Sequence, residues 1–201
     1  SQPGSAEENN WRGALGQWDS DLKDRQAFSN YNPGGLTAIW AEENTRQALF
    51  AALQRREVYA TSGTRIKLRV RQTFAAKKSV DCRTPPANST PMGGQLTNSS
   101  GSQKPTFIIE AMQDETAIAA IDLIKLAQIG DRIEQRVLRL AEYPQGNASS
   151  CIIWTDLDHT KGDTALWYVR VLEQPSQRWD QKGQIQERAW SSPIWSVNNA
   201  L

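Results

Sequence analysis

The stretch "AAIDLIKLAQIGDRIEQRVLRLAEY", residues 119–143, decides the fold because its pattern fits two different structures. With helical spacing, its aliphatic side chains line one face of a long helix: Ile121, Ile124, Ile129, Ile133, Val137 and Leu140. The alternative is a hairpin of two strands, "IDLIKLA" and "RIEQRVLRLA", joined through Gly130 and Asp131. Periodicity favours the helix slightly, but the helix would have to include Gly130 at a cost of about 1 kcal/mol. These residues alone leave both structures open.

A shorter helix is predicted upstream, over about residues 42–56, within "AEENTRQALFAALQRREV". Asn44 and Gln47 have the spacing of a capping box, and Glu42 and Glu43 suit the positive end of the helix dipole. The apolar positions recur at helical spacing: Ala48, Leu49, Ala52 and Leu53.

Strict alternation follows in "RIKLRVRQTF", residues 65–74, and predicts a strand with one buried face. The buried face holds Ile66, Leu68 and Val70, and the other face holds Lys67, Arg69 and Arg71. We interpret the basic face as solvated rather than phosphate-binding, because no aromatic residues interleave with the charges. "PTFIIEAM", "CIIWT" and "TALWYVRVLEQP" are further strands by β-branched and aromatic content. We expect residues 180–201 to form an extended tail.

A Pro/Ser/Asn/Gly-rich connection, residues 75–104, separates two of these strands and contains "PMGG". Its length indicates either a functional loop or a large surface excursion. Cys82 and Cys151 are too few for a structural zinc site. A disulfide between them requires an oxidising compartment, so a periplasmic or exported location is one option, and the sequence does not decide it.

Charge and hydropathy exclude some partners. Lys plus Arg number 23 and Asp plus Glu 22, which gives no field to steer nucleic acid or an anionic membrane. No apolar run approaches the roughly 20 residues of a membrane-spanning helix. The first residues, "SQPGSAEENN", lack the features of a signal peptide, and we expect either a flexible lead-in or a cut edge inside a longer protein.

The segment "DLDHTKGD", residues 156–163, places His159, the only histidine, among Asp156, Asp158 and Asp163. Such ligands suit a divalent metal. However, the EF-hand pattern requires glycine at its sixth position and glutamate at its twelfth, and neither is present. We interpret the segment as a solvated loop between two strands and assign no metal ligand in this chain. One histidine in a loop builds no nucleophilic triad, and neither "NPGG" nor "PMGG" has phosphate-loop spacing.

From "GGLTAIWAEENTRQALFAALQRREVYATSGTRIKLRV" onward, the chain resembles the C-terminal part of domain-of-unknown-function family 3604. The resemblance recurs in "PMGGQL", "IIWTDLD", "LWYVRVLEQPSQRW" and "IQERAWSSPIW", and covers about residues 7–195. Those proteins resemble the PHP (polymerase and histidinol phosphatase) metal-dependent hydrolases.

The resemblance implies an α+β fold. Residues 1–63, with the helix, would complete an N-terminal (β/α) barrel, and residues 64–201 would form an immunoglobulin-like antiparallel β-sandwich. A sandwich fold favours the hairpin over the helix for residues 119–143. The barrel would carry the divalent metal, so its ligands would lie outside this chain and the barrel would be the chain's partner.

The resemblance also points to "RREVYATSG" as the candidate site. Thr61 and Ser62 could donate hydrogen bonds to a substrate oxyanion, with Arg46 or Arg56 as an electrostatic clamp. The alternative is that Thr61 and Ser62 only form a turn. Family members carry an aromatic residue in place of His159, so no ligand role transfers to it.

We therefore expect an accessory region of a PHP-like hydrolase of phosphoesters, esters or amides, inert by itself. The main rival is a non-catalytic sugar-binding module that uses exposed tryptophans, with Trp11, Trp18, Trp190 and Trp195 as candidates. A second rival is an interaction protein whose 75–104 loop docks a partner through an exposed apolar patch.

Overall fold

The computed structural model describes residues 35–75, 77–96, 104–160, 163–177 and 184–196. The elements, in chain order, are β1 (Leu36–Ile39), α1 (Arg46–Arg55), β2 (Val58–Thr61), β3 (Lys67–Thr73), a 3₁₀ turn (Lys77–Ser79), β4 (Thr90–Pro91), β5 (Thr106–Met112), β6 (Ile118–Ile129), β7 (Arg132–Asn147), β8 (Ser149–Thr155), β9 (Ala165–Glu173), β10 (Ser176–Gln177), β11 (Gln184–Ile185), β12 (Arg188–Ser191) and β13 (Ile194–Ser196). The prediction of a mainly antiparallel β structure is confirmed.

Residues 119–143 form the hairpin, and the helix that periodicity favoured is wrong. β6 and β7 pair antiparallel, with Ile124 opposite Val137, and Gly130 forms the turn with φ +59°. Helical spacing arose for two reasons. β6 has apolar residues on both faces, with Leu123 between the sheets and the buried Ile124 on the outer face, and β7 carries the exposed Ile133 and Val137. A strand buried on both faces loses the alternation that identifies a strand.

Within the described residues, the strands form two main sheets. The larger is seven-stranded in the order β1-β2-β12-β9-β6-β7, with β13 also paired to β9, and the smaller is β4-β3-β5-β8. A two-residue pair, β10-β11, stands apart. Ladder pairings are antiparallel, and a single parallel bridge joins Gln95 to Trp195. The turn after β2 carries the chain from the larger sheet to the smaller one. The domain boundary predicted at residue 63 stays a prediction.

The core lies between the two sheets, as in a β-sandwich. β3 supplies Ile66, Leu68 and Val70, all buried as the alternation predicted. β9 supplies Trp167, whose ring centroid lies 5.3 Å from that of Phe107 on β5. Truncating such a buried aromatic residue typically costs about 3–5 kcal/mol.

The long connection between β3 and β5 folds back onto the outer face of the smaller sheet. Val80 and Cys82 pack there against Ile108, and Cys82 is bonded to Cys151 of β8 with a Cα–Cα distance of 6.1 Å. The disulfide that the sequence left open is therefore formed. Across the described part of the connection, residues 75 and 77–96, no large apolar side chain is exposed, so a docking patch there gains no support.

Helix α1 is shorter than predicted. It begins at Arg46, whereas the prediction placed the helix over about residues 42–56 with a capping box at Asn44. Thr45, not Asn44, is the N-cap, and its hydroxyl accepts from the N–H of Ala48 at 3.3 Å. Arg56 ends the helix in the left-handed region with φ +59°. Among the described residues, no helix is long and apolar enough to cross a membrane.

Candidate functional site

Three of the segments that carried the family resemblance meet around Arg56. The Nε–H of Arg56 donates to the carbonyl of Gly93 in "PMGG" at 2.9 Å. Its guanidinium lies over the ring of Trp195, 5.1 Å from the centroid, and the N–H of Gly93 donates to the carbonyl of Pro193 at 2.9 Å. Arg56 therefore joins the end of α1 to the loop at Gly93 through a hydrogen bond and to strand β13 through a cation–π contact.

Gly93 is required at this meeting point. Its φ is +84°, and a Cβ there would lie 2.2 Å from the carbonyl oxygen of Arg56. A side chain would suffer both backbone strain and a clash with rigid main chain. The two glycines of "PMGG" therefore serve close packing of the backbone, and this packing explains a motif that matched no phosphate loop.

The hydroxyls of Thr61 and Ser62 are engaged in the turn after β2. Thr61 is buried, and its Oγ1 donates to the carbonyl of Thr64 at 2.6 Å. Ser62 Oγ contacts the carboxylate of Glu187 and accepts from the N–H of Arg188 at 2.8 Å. This network holds the crossing between the sheets against β12.

The four residues predicted as a site lie at three separate places. Arg46 is exposed at the first residue of α1, whereas Arg56 caps its other end. At a rise of 1.5 Å per residue, their backbones are about 15 Å apart. The described contacts of Thr61 and Ser62 share no partner with those of Arg56. A role for these residues in hydrolysis stays a prediction.

A buried carboxyl that the sequence gave no reason to single out lies beside the same turn. Glu173 is fully buried, and its Oε1 accepts from the N–H of Asp114 at 3.2 Å. Burial raises the pKa of Glu173 to about 7, and the nearby charges of Asp114, Glu187 and Glu115 add to the rise. Its Oε2 has no partner among the described residues.

The prediction of a solvated loop at residues 156–163 is wrong for Asp156 and His159, which are 2% and 6% exposed. Asp156 Oδ2 lies 2.6 Å from Nζ of Lys125 and accepts from Nε1 of Trp167 at 2.9 Å. Its Oδ1 accepts from the N–H groups of Asp158 and His159. The segment folds inward because this carboxylate finds four donors there, which offsets the cost of burying its charge.

His159 packs next to Asp156, whose carboxylate accepts its backbone N–H. Its ring meets Trp167 edge-on, with centroids 4.9 Å apart, and its carbonyl accepts from Nζ of Lys104 at 2.6 Å. Burial lowers the pKa of His159 below its ordinary value of 6.5, against the opposing pull of Asp156 and Asp163. Its Nδ1 is buried and has no partner among the described residues, a state that costs about 1–3 kcal/mol.

A cavity of about 250 Å³ lies beside this imidazole, where the β6–β7 hairpin meets the loop after β8. Its charged and titratable lining consists of Lys125, Glu134, Arg136, Asp158, His159 and Asp163. Nε of Arg136 lies 3.1 Å from Glu134, and its Nη1 lies 3.6 Å from Asp158. In the described parts of the chain, no three His, Cys, Asp or Glu side chains converge as metal ligands would.

One sequence signal pointed to this site. Lys125 follows Ile121 and Leu123 at alternate positions of β6, so it occupies an inward-facing place between two sheets. A cation at such a place requires a buried carboxylate. The chain offered many carboxylates, and only the register of the folded sheets identifies Asp156 as the partner.

The comparisons with known proteins concern the family alone, and the relation to the PHP hydrolases stays a prediction. The chain matches the family described as "Protein of unknown function (DUF3604)" over residues 1–135 and 125–198. It is also similar to an "Uncharacterized protein" of Chlamydia muridarum (strain MoPn / Nigg), with 28% identity over 194 residues that cover 87% of this chain and 25% of the relative. The chain thus spans about a quarter of that relative's length. No solved structure matches it significantly. The chain belongs to the family DUF3604.

Proposed function

We propose that this chain is the immunoglobulin-like C-terminal accessory region of a longer, PHP-like metal-dependent hydrolase, and that it docks onto the rest of that protein through α1. The relative it matches is about four times as long as the matched region, and the family-like segments pack together as one unit around Arg56. The substrate would be a phosphoester, an ester or an amide, and the divalent metal would be bound by the remainder of the protein.

The observation that carries this proposal is an apolar face of α1 that the described residues leave uncovered. Phe50 is 60% exposed and Leu53 is 46% exposed, and the two lie three residues apart on one helical face. Within α1, only Ala52 is buried. Burying a Phe or Leu side chain contributes roughly 1.5–3 kcal/mol, so a helix that exposes both on one face has an interface still to form.

Arg46 lies on the same face, since residues four and seven apart align along a helix. Of the four predicted site residues, it is the one placed beside the proposed interface. We therefore keep an electrostatic role for Arg46 toward a substrate or toward the partner domain. Arg56, Thr61 and Ser62 would support the interface by fixing the end of α1 and the turn after β2.

The disulfide between Cys82 and Cys151 suits an oxidising compartment, and we propose a periplasmic or exported location. The rival binding module gains no support from the described tryptophans. Trp190 and Trp195 are both half-buried, and Arg56 covers a face of the Trp195 ring. Trp11 and Trp18 lie outside the described residues.

The test uses the longer protein with Phe50→Asp, and Gln145→Glu as a control that also adds one negative charge, at an exposed position of β7 on the opposite edge of the larger sheet from β1. Phe50→Asp should lower both the thermal midpoint and the hydrolytic rate of the longer protein, because a charge at the interface opposes docking. Gln145→Glu should leave both near the parent's values. In the 201-residue chain, where Phe50 is already exposed, neither change should lower the midpoint. Equal effects of the two variants in the longer protein would contradict the proposal.

A further inference from the structure

We propose that the cavity beside His159 binds a small neutral polyhydroxyl molecule, about the size of a single sugar ring. This proposal is independent of the hydrolase role and of α1, which contributes no residue to the cavity. It rests on three observations. The residues at the base of the cavity are fixed by their neighbours, Nδ1 of His159 has no hydrogen-bond partner among the described residues, and hydrogen-bond donors and acceptors alternate around the opening.

The floor of the cavity is held in place before any ligand arrives. Asp156 is bound by Lys125 and Trp167, and its other oxygen fixes the backbone at Asp158 and His159. His159 rests edge-on against Trp167. A site whose groups are fixed by their own neighbours loses little entropy when a ligand binds.

Nδ1 of His159 lacks a hydrogen-bond partner among the described residues, although His159 lines this cavity. This nitrogen is also buried. Burial keeps the ring neutral at neutral pH, so Nδ1 either accepts or donates one hydrogen bond, depending on the tautomer. A hydroxyl group satisfies either tautomer, because it both donates and accepts.

The remaining lining alternates donors with acceptors. Gln128 and Arg136 supply N–H groups, and Glu134, Asp158 and Asp163 supply carboxylate oxygens. Each charge is already partly compensated, as in the contacts of Arg136 with Glu134 and Asp158. Three carboxylates outnumber the two cations of the lining, and Lys125 is committed to Asp156, so an anion such as phosphate is disfavoured.

Size and apolar surface limit the ligand further. A volume of about 250 Å³ lies just under the usual range of small-molecule sites, about 300–1,000 Å³, and admits one ring rather than a chain of rings. Ala127 and Ile129 line the same cavity and offer an apolar surface to the C–H face of a sugar. A metal ion is disfavoured because three protein ligands do not converge among the described residues.

The test exploits His159 as the chain's only histidine, because its ring resonances in an NMR spectrum need no assignment. Glucose, galactose and mannose are each titrated into the 201-residue protein, with inorganic phosphate and ethylamine as the probes of the anionic and cationic classes. At least one sugar should shift the His159 ring signals to saturation at millimolar concentration. Asp158→Ala, at an exposed edge of the cavity, should weaken that sugar at least about threefold, the loss of one hydrogen bond.

Leu157→Ser is the matched control, since Leu157 is exposed next to Asp158 and does not line the cavity. It should leave the sugar titration unchanged. Saturation by phosphate or ethylamine with no response to any sugar would overturn the proposal. So would the absence of saturation with all three sugars, or an equal loss of binding in Leu157→Ser and Asp158→Ala.

Discussion

Nζ of Lys125 lies 2.6 Å from Oδ2 of Asp156, and both side chains are almost entirely buried. Lys125 belongs to the larger sheet, and Asp156 follows the last strand of the smaller one. The pair therefore links the two sheets at the end of the sandwich where the cavity opens. Trp167 of β9 adds a second side-chain contact to the same carboxylate.

Asp156→Ala should destabilise the protein by about 3–5 kcal/mol, because it leaves the ammonium of Lys125 and the indole N–H of Trp167 buried without an acceptor. Urea unfolding followed by tryptophan fluorescence measures the change. Asp158→Asn, which alters an exposed carboxylate two residues away, should cost less than about 0.5 kcal/mol. A cost below about 1 kcal/mol for Asp156→Ala would show that the ion pair does not hold the two sheets together.

Two glycines with positive φ provide a matched comparison. Gly130 has φ +59° and open space where a Cβ would stand, whereas the same atom at Gly93 would overlap the carbonyl of Arg56. Gly130→Ala should cost about 1–2 kcal/mol of unfolding free energy from backbone strain alone. Gly93→Ala should cost a further 1–3 kcal/mol or so from the overlap. Equal losses in chemical denaturation would contradict the close packing at "PMGG".

The buried carboxyl of Glu173 should make stability fall as the pH rises from about 4.5 to 7. In this window the unfolded chain has released the proton while the folded protein retains it, so folding is linked to proton uptake. Glu173→Gln should therefore stabilise the protein at pH 8 by about 3 kcal/mol, and leave it unchanged at pH 4. Unfolding curves at both pH values test this, with the exposed Glu142→Gln as control. A gain of the same size at both pH values would exclude the titration of Glu173 as its cause.

Titration of the single imidazole should show the opposite dependence. Burial lowers the pKa of His159 in the folded protein, so below pH 6.5 the unfolded chain binds more protons and stability falls as the pH falls. An NMR titration of the ring C–H signals should give a midpoint below 6.5 in buffer and one near 6.5 in denaturing urea. A folded midpoint at or above the urea value would mean that the ring is solvated or paired with a carboxylate.

Sequence reasoning succeeded where one physical effect acted alone. The alternation of Ile66, Leu68 and Val70 follows from one buried face, and the structure confirms all three as core. Periodicity misled over residues 119–143 because β6 is buried on both faces. Gly130 and Asp131 left the hairpin open as an alternative, and the family resemblance favoured it. The helix cap shifted from Asn44 to Thr45, since neighbouring polar residues compete on nearly equal terms for a cap.

The candidate site depended on longer-range information. The acidic loop that contains His159 was predicted to be solvated because its composition is that of a surface turn. Its inward course is set by Lys125, which lies 31 residues earlier than Asp156 in the chain and meets it only through the pairing of β6 with β9 and of β5 with β8. Spacing along the chain carries no signal for a contact made between sheets.

The central claim, that α1 docks onto the remainder of a longer protein, is tested most directly by amide hydrogen exchange over Arg46–Arg55. Exchange is measured in the 201-residue chain and in the longer protein under the same conditions. We predict that the α1 amides exchange at least about tenfold more slowly in the longer protein, while the amides of β6, already in the core, change little. Equal exchange of α1 in the two proteins would contradict the account.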